Sequence, residues 1–448
     1  MTAVTLDPPS DATVDTALVR VTGGRPLSGR IPVQGSKNIA LHLYAASLLA
    51  DSPVTLSAAP DIIDTQVCAQ ILRHTGARVE VTGGRFDVIP PRDPWPVVHA
   101  ELGRRVRTTV VLAAAVLARA GQVAFPWPGG DAFCPRLIDR HVAAMRAAGA
   151  EVVADGAGMR ARCGPRGVKA FTVDVDTPYG PSLGATVTAM LLAARATGAS
   201  LITHPSIEPE VTETARFLSE RGVRIHFDDQ GLHVAGSDWI DGGGFAVAGD
   251  RIEAATMVMT AAATGGRVHL DNITAAGFPR GLVRVLTAAG IGLSDAPDGG
   301  VQSQSRGPLT AVEAATGPHP DLPTDTAPQL AALLTQADGT SLLGERVYPR
   351  RDSHAAGLRS FGADITTTGA VIRIRGPVRL HGADVEASDI RAVTALLIAA
   401  LAAEGPSTIR GLYHLRRGYG HLLSNLATLG ADITTVPGGP DAHPVHRR

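Results

Sequence analysis

Aromatic residues make up only 4% of the 448-residue chain. Successive bases would find few rings to stack on, which argues against a single-strand nucleic-acid binder. The 41 Lys+Arg against 42 Asp+Glu leave a formal charge of −1. No global basic excess exists for nucleic acid, so any bound anion must meet local positive charge. Cysteine is scarce: Cys68, Cys134 and Cys163 are an odd number at no metal-like spacing, and neither a disulfide framework nor a metal site is expected. No run approaches the roughly 18 uninterrupted apolar residues of a membrane helix. The opening MTAVTLDPPSDATVDTALVR lacks the basic-then-apolar order of a signal peptide. A cytoplasmic protein without membrane contact is expected. Lysine is rarest of the charged residues: Lys37 and Lys169 stand among otherwise arginine cations, and such a chain can keep a lysine where a compact ammonium is needed.

What is present is glycine (50 residues) and a 44% hydrophobic, 19% charged composition. That composition is globular, and the length calls for two or more domains. One phrase recurs: an apolar helical stretch, a glycine, then a β-branched run, as in HTGARVEV, AAGAEVVA, ERGVRIHF, AAGIGLSD, FGADITTT and LGADITTV. The glycines are Gly76, Gly149, Gly222, Gly290, Gly362 and Gly430, at separations of 73, 73, 68, 72 and 68. Each repeat reads as an Ala/Leu-rich helix, a strand, an amphipathic helix capped by the glycine, and one or two strands. First helices that are apolar all round should be buried, and second helices with one charged face should lie outside.

An α/β (α+β) fold of six βαβαββ-like repeats follows, three per lobe with pseudo-threefold symmetry and the active site in the interlobe cleft. The expected first lobe is 37–248, with a Pro/Gly-rich loop at about 126–141. The second lobe is 19–36 plus 249–438, and 1–18 and 439–448 are tails. The strand-like segment Val19 to Gln34 would pair with the last repeat. A monomer that closes around its ligand is expected.

Charged residues at repeat starts are not needed by the fold. Gly35-Ser36-Lys37-Asn38 precede a buried helix and set a lysine and backbone N–H groups at its positive end, an anion site in form. Arg107 opens the matching helix of the second repeat. The loop PWPGGDAFCPRLIDRHV carries Asp131, Cys134, Arg136, Asp139, Arg140 and His141, a density of breakers and titratable groups typical of binding loops. Asp325 precedes another apolar helix, where N-capping alone could account for it. Arg350, Arg351, Asp389, Arg391, Arg416 and Arg417 complete the set. An arginine at an apolar helix start is costly unless paired or facing a polar ligand, so these cations suggest a phosphorylated carboxylate.

Nine ordered blocks between about Val21 and Val436 carry a resemblance: GSKNIALHLYAASLLADSPVTLSAAPDIIDT, PGGDAFCPRLIDRH, PSLGATVTAMLLAA, EPEVTETARFL, GDRIEAATM, LPTDTAPQ, ERVYPRRDSH, SDIRA and YHLRRGY. They resemble the UDP-N-acetylglucosamine enolpyruvyl transferase (1-carboxyvinyltransferase) family. The related shikimate-pathway synthases share the two-lobed, inside-out α/β barrel-like fold, but their first motif has Ser and Arg where this chain has Asn38 and His42.

The resemblance implies a cofactor-free addition and elimination on phosphoenolpyruvate. It implies catalytic roles for Lys37, Asp131, Asp325 and Arg417, with Asp325 as base or orienter. Substrate would be bound by Asn38, Arg107, Arg136, Asp139, His141, Ser182, Gly184, Arg351, Asp389, Arg391 and Arg416. Asp131 stands where most members carry a cysteine general acid, which makes Cys134 a decoy. Two departures bear on the acceptor. The family loop Ile-Gly-x-Arg-Pro-Val-Asp-Leu is Phe133 to Arg140 here, and His-Ile-Asp-Arg-Gly-Tyr is His414-Leu415-Arg416-Arg417-Gly418-Tyr419. UDP-N-acetylglucosamine is the first expectation. UMP, as in nucleoside-antibiotic pathways, is the alternative, because Arg140 and Arg416 could contact a phosphate directly; a non-catalytic ligand sensor is a third reading.

Overall fold

Helices of two kinds sort into inner and outer layers by the distribution of their apolar residues. The computed structural model, which describes residues 17–131, 133 and 137–437, places inner helices at Lys37–Ser47, Thr109–Ala120, Leu183–Ala194, Arg251–Ala263, Ala327–Leu334 and Ile390–Ala402. Every residue from Ala185 to Ala194, and from Ile390 to Leu401, is buried. The outer helices are Ile63–His74, Asp139–Ala147, Pro209–Ser219, Arg280–Ala288, Ser353–Ser360 and Leu422–Thr428. In Arg280–Ala288 burial is confined to Gly281, Leu282, Val285 and Leu286, one stripe at helical spacing. The six glycines that close the outer helices have φ between 90° and 101°. That region disfavours a Cβ, and it ends the helix by turning the next N–H back: Ala77 N–H bonds to the Leu72 carbonyl at 3.2 Å and Ala431 N–H to that of Leu426 at 3.0 Å.

The chain forms two compact units. One comprises Gly35–Gly130 and residues 137–248. Its Thr109–Ala120 helix packs on the Lys37–Ser47 and Leu183–Ala194 helices, and Ala, Val, Leu and Ile dominate its core. Its sheets run in the order Gly243–Ala246, Val54–Ser57, Arg85–Ile89, Arg78–Thr82; then Arg224–Phe227, Leu232–Ala235, Ala199–Thr203, Thr172–Asp174; and Gln122–Pro126, Gly158–Cys163, Ala150–Asp155. In the last sheet the fourth strand is reduced to a parallel bridge from Val97 to Ala124.

The other unit comprises the chain up to Gln34, Asp131, Phe133 and the chain from Gly249. Asp131 and Phe133, expected with the first lobe, therefore belong with the second group of repeats. The helices Arg251–Ala263, Ala327–Leu334 and Ile390–Ala402 each touch the other two. One sheet shows how the N-terminal segment is used. Leu18–Thr22 lies antiparallel between Pro406–Arg410 and Asp432–Val436, with Val19 opposite both Ile409 and Thr435. The next strand, Ser28–Pro32, pairs in parallel with Arg267–Asp271 of an earlier repeat. No helix among the described residues is long and apolar enough to cross a membrane.

Candidate active-site residues

In the second unit Asp325 lies in a single 3₁₀ turn, Thr324–Thr326, directly before an inner helix. It does not cap that helix by its side chain. Its carboxylate accepts from Arg351 Nη1 through Oδ1 at 2.8 Å and from Arg391 Nη2 through Oδ2 at 2.7 Å. Burial opposes ionisation of Asp325, but the Arg391 and Arg351 guanidiniums outweigh it and hold the carboxyl well below its ordinary range. Arg391 also donates to the Tyr419 hydroxyl at 2.6 Å, and Arg351 to Thr324 Oγ1 at 3.0 Å. Burial raises the Tyr419 hydroxyl above its ordinary range, with Arg391 opposing. The Nε atoms of Arg351 and Arg391 are buried with no hydrogen-bond partner among the described residues. Two desolvated guanidiniums with donors to spare suit a phosphate or carboxylate, which a guanidinium grips through two bonds.

Two supports hold this arrangement. Glu345, buried, accepts from Thr316 Oγ1 (2.6 Å), from the Val347 and Tyr348 N–H groups (2.9 Å each) and from Thr324 Oγ1 (2.8 Å). It thus ties the Asp325 turn to the segment leading to Arg351. Phe133 sits 4.4 Å beneath the Arg351 guanidinium and meets Tyr348 edge-on at 5.3 Å. Thr324, Glu345, Tyr348 and Tyr419 were not singled out by sequence. Their motifs contained them, but hydroxyls and one glutamate give no periodic signal.

Asp131 accepts from Arg417 Nη1 through Oδ1, and Oδ2 accepts from the Ile390 N–H at 3.3 Å; His414 Nδ1 is 3.5 Å away. Asp389 is 2% exposed and caps the Ile390–Ala402 helix, accepting from the Arg391 and Ala392 N–H groups at 2.8 and 2.9 Å and from the Ser353 hydroxyl. Its visible work is structural. Arg416 is exposed at the end of the short helix Leu412–Arg416.

The first unit carries a second group. Ser36 caps the Lys37–Ser47 helix, and Lys37 pairs with Asp64 at 3.0 Å, the two side chains only 11% and 3% exposed. Asp64 was another omission from the expected set. Asn38 is half-buried on the same helix. Arg107 donates to the Leu137 carbonyl at 2.9 Å. Gly129 has no room for a side chain, since a Cβ would fall 1.6 Å from the Arg104 carbonyl oxygen.

Ser182 caps the Leu183–Ala194 helix, accepting from Ala185 N–H. A Cβ on Gly184 would lie 2.8 Å from the His141 ring, so glycine makes space for that imidazole. His141 pairs through Nδ1 with Thr188 Oγ1 at 2.8 Å, and burial followed by the nearby Arg107 charge pushes its pKa down to about 3. His42 is likewise pushed down by burial to about 4, with Glu210 opposing. Asp139 is exposed at the start of Asp139–Ala147, 3.9 Å from Arg140 Nε. Arg136 and Cys134 lie outside the described residues. Burial raises the Cys68 and Cys163 thiols, which fits small apolar fillers rather than nucleophiles.

Comparison with known proteins agrees with this chemistry. The model of the EPSP synthase (3-phosphoshikimate 1-carboxyvinyltransferase) family matches residues 21–426. The UDP-N-acetylglucosamine 1-carboxyvinyltransferase of Zymomonas mobilis is 35% identical over 429 residues, covering 94% of this chain and 99% of that one. A relative of the same name in Halothermothrix orenii is 35% identical over 417 residues, covering 93% and 99%. Among solved structures, the enolpyruvyl transferase NikO from Streptomyces tendae superposes with a TM-score of 0.80 at 26% identity, over 94% of this chain and 99% of that one. The EPSP synthase of Acinetobacter baumannii, 18% identical with a TM-score of 0.73 over 93% of this chain and all of its own, shares the fold. Buried arginines set around carboxylates and a match along nearly the whole length lead to one conclusion: the chain belongs to the EPSP synthase-like family and is an enolpyruvyl (1-carboxyvinyl) transferase.

Proposed function

We propose that the chain transfers the enolpyruvyl group of phosphoenolpyruvate to the 3′-hydroxyl of UDP-N-acetylglucosamine and releases inorganic phosphate, opening peptidoglycan precursor synthesis. The observation that carries this reading is the Arg351–Asp325–Arg391 clamp, whose guanidiniums are desolvated and whose Nε donors have no partner among the described residues. The names of relatives about 35% identical over nearly the full length support the acceptor.

The bonds balance as follows. C3 of the enol gains a proton while the 3′-oxygen bonds to C2 and its own proton passes to a base, giving a tetrahedral ketal. C3 then gives up a proton as the C2–O bond to phosphate breaks, which restores the double bond on the product. Asp131 is the acid in this reading and Asp325 the base or orienter of the acceptor hydroxyl. Lys37, Arg107, Arg351, Arg391 and Arg417 neutralise phosphate and carboxylate, with Asn38, Arg136, Asp139, His141, Ser182 and Gly184 lining the substrates. Asp131 now occupies Arg417, and Asp325 occupies Arg351 and Arg391. Each carboxylate holds a place that a substrate anion takes over, which frees it for proton transfer.

A second reading, UMP as acceptor, is favoured by one observation. Arg416 is exposed and Arg140 only half-buried, so each has solvent-facing area from which to take a phosphate. Asp389 and Arg416 stand on the substrate side in both readings, Asp389 by capping the helix that carries Arg391. The deciding experiment is phosphate release from phosphoenolpyruvate with UDP-N-acetylglucosamine, UMP and shikimate 3-phosphate run in parallel. Release with the UDP-sugar is expected. Release with UMP alone would replace the first reading by the second, and none with any acceptor would overturn both.

A further inference from the structure

The hairpin Arg224–Phe227 and Leu232–Ala235 lies in a sheet of the first unit, and no residue of the proposed reaction belongs to it. His226 and His233 are directly opposite each other in its register. Opposed positions of an antiparallel pair project to one face, a few ångströms apart. The two imidazoles stack at 4.5 Å with 1° between their planes. Asp228 opens the turn, and its carboxylate faces both rings: His233 Nε2 is 2.9 Å from Oδ2 and 3.0 Å from Oδ1, and His226 Nε2 is 3.8 Å from Oδ2. The donor atoms of all three residues lie within 4.8 Å of one another.

We infer that His226, Asp228 and His233 form a surface binding site for a borderline divalent transition metal of the Zn²⁺, Ni²⁺ or Cu²⁺ class. Two imidazole nitrogens and one carboxylate oxygen are the donor set such ions select, whereas Mg²⁺ and Ca²⁺ require oxygen ligands throughout. Asp228 is fixed before any ion arrives, because Oδ1 accepts from the Gln230 and Gly231 N–H groups at 2.9 and 3.1 Å.

The remaining adjustment is small. Ligands on one Zn²⁺ sit about 2 Å from it, so His226 Nε2 must swing inward and its ring part from that of His233, and the His226 side chain is 67% exposed. The ion would join two strands and their turn while leaving coordination positions open to solvent.

The test uses the full chain stripped with EDTA and dialysed. ZnCl₂ is titrated against a chromophoric chelator, and Cu²⁺ is examined by electron paramagnetic resonance. One equivalent of Zn²⁺ with micromolar or tighter affinity is expected, with a copper spectrum split by two nitrogens. His226→Ala and His233→Ala should each weaken affinity at least about tenfold, a loss at the low end even for outer-shell changes, and should abolish the rise in melting temperature that Zn²⁺ gives the parent. Both changes lie on the surface, and phosphate release should be unaltered in each variant. Affinity unchanged by both substitutions, no stoichiometric binding, or equal binding of Mg²⁺ would overturn the assignment.

Discussion

Asp131 carries the sharpest residue-scale consequence, because it stands in the loop where most of the resembled family has a cysteine. A thiolate opens an epoxide readily, and a carboxylate salt-bridged to Arg417 is a poor substitute. The enzyme is therefore expected to keep its activity through incubation with a small phosphonate epoxide, while Asp131→Cys gains time-dependent inactivation and retains measurable turnover. Activity followed after dilution at successive times checks both; equal inactivation of parent and variant would show that the epoxide reacts elsewhere. The residue scale is also where sequence was least sufficient. Asp325 and Asp389 both precede apolar inner helices, and either could have been an N-cap. Only Asp389 caps, since Asp325 is drawn to Arg351 of its own repeat and Arg391 of the next.

At the scale of elements the glycines that close the outer helices are equivalent in conformation yet differ in surroundings from those of the loop. Gly222 has φ +93° and open space where a Cβ would go. Gly222→Ala should therefore cost only the left-handed backbone penalty, about 1–2 kcal/mol, with turnover unchanged. Gly129→Ala has no such latitude, because its Cβ would meet the Arg104 carbonyl at 1.6 Å and displace the segment leading into Asp131. It should lower phosphate release more than it lowers stability. Urea unfolding together with turnover on both variants separates the two effects, and parallel losses in both would contradict this account. These helix ends were legible in sequence because a cap depends on residues within one turn of it. The inner helices were legible because apolarity on every side leaves burial as their only stable environment.

For the whole molecule, stability should have two unequal pH limbs. His42 and His354 are pushed by burial from 6.5 down to about 4, and His141 to about 3. The folded protein keeps them neutral while the unfolded chain protonates them below its own value, so stability is lost as pH falls from 6.5 towards 3 to 4. Glu253 runs the other way. Burial and then Asp250 push it from 4.5 up to about 8, and its Oε2 accepts from the Gln34 N–H at 2.8 Å. The folded state holds a proton there that the unfolded chain releases, so that contribution is present below 4.5 and is lost as pH rises through 8. Three histidines against one glutamate make the acid limb steeper. Urea midpoints measured across this range should show it, and Glu253→Gln should flatten the alkaline limb alone; an unchanged alkaline limb would remove Glu253 as its source. By itself the sequence determined the repeat, the capped outer helices, the buried inner ones and the family motifs, because each is written in residues within a few turns of one another. Only the tertiary structure decided that Ser28–Pro32 leaves the last repeat to pair with Arg267–Asp271, that Asp131 faces Arg417 and that His226 meets His233 beside Asp228. Such pairings depend on which groups the folded backbone brings together, and no local propensity encodes that.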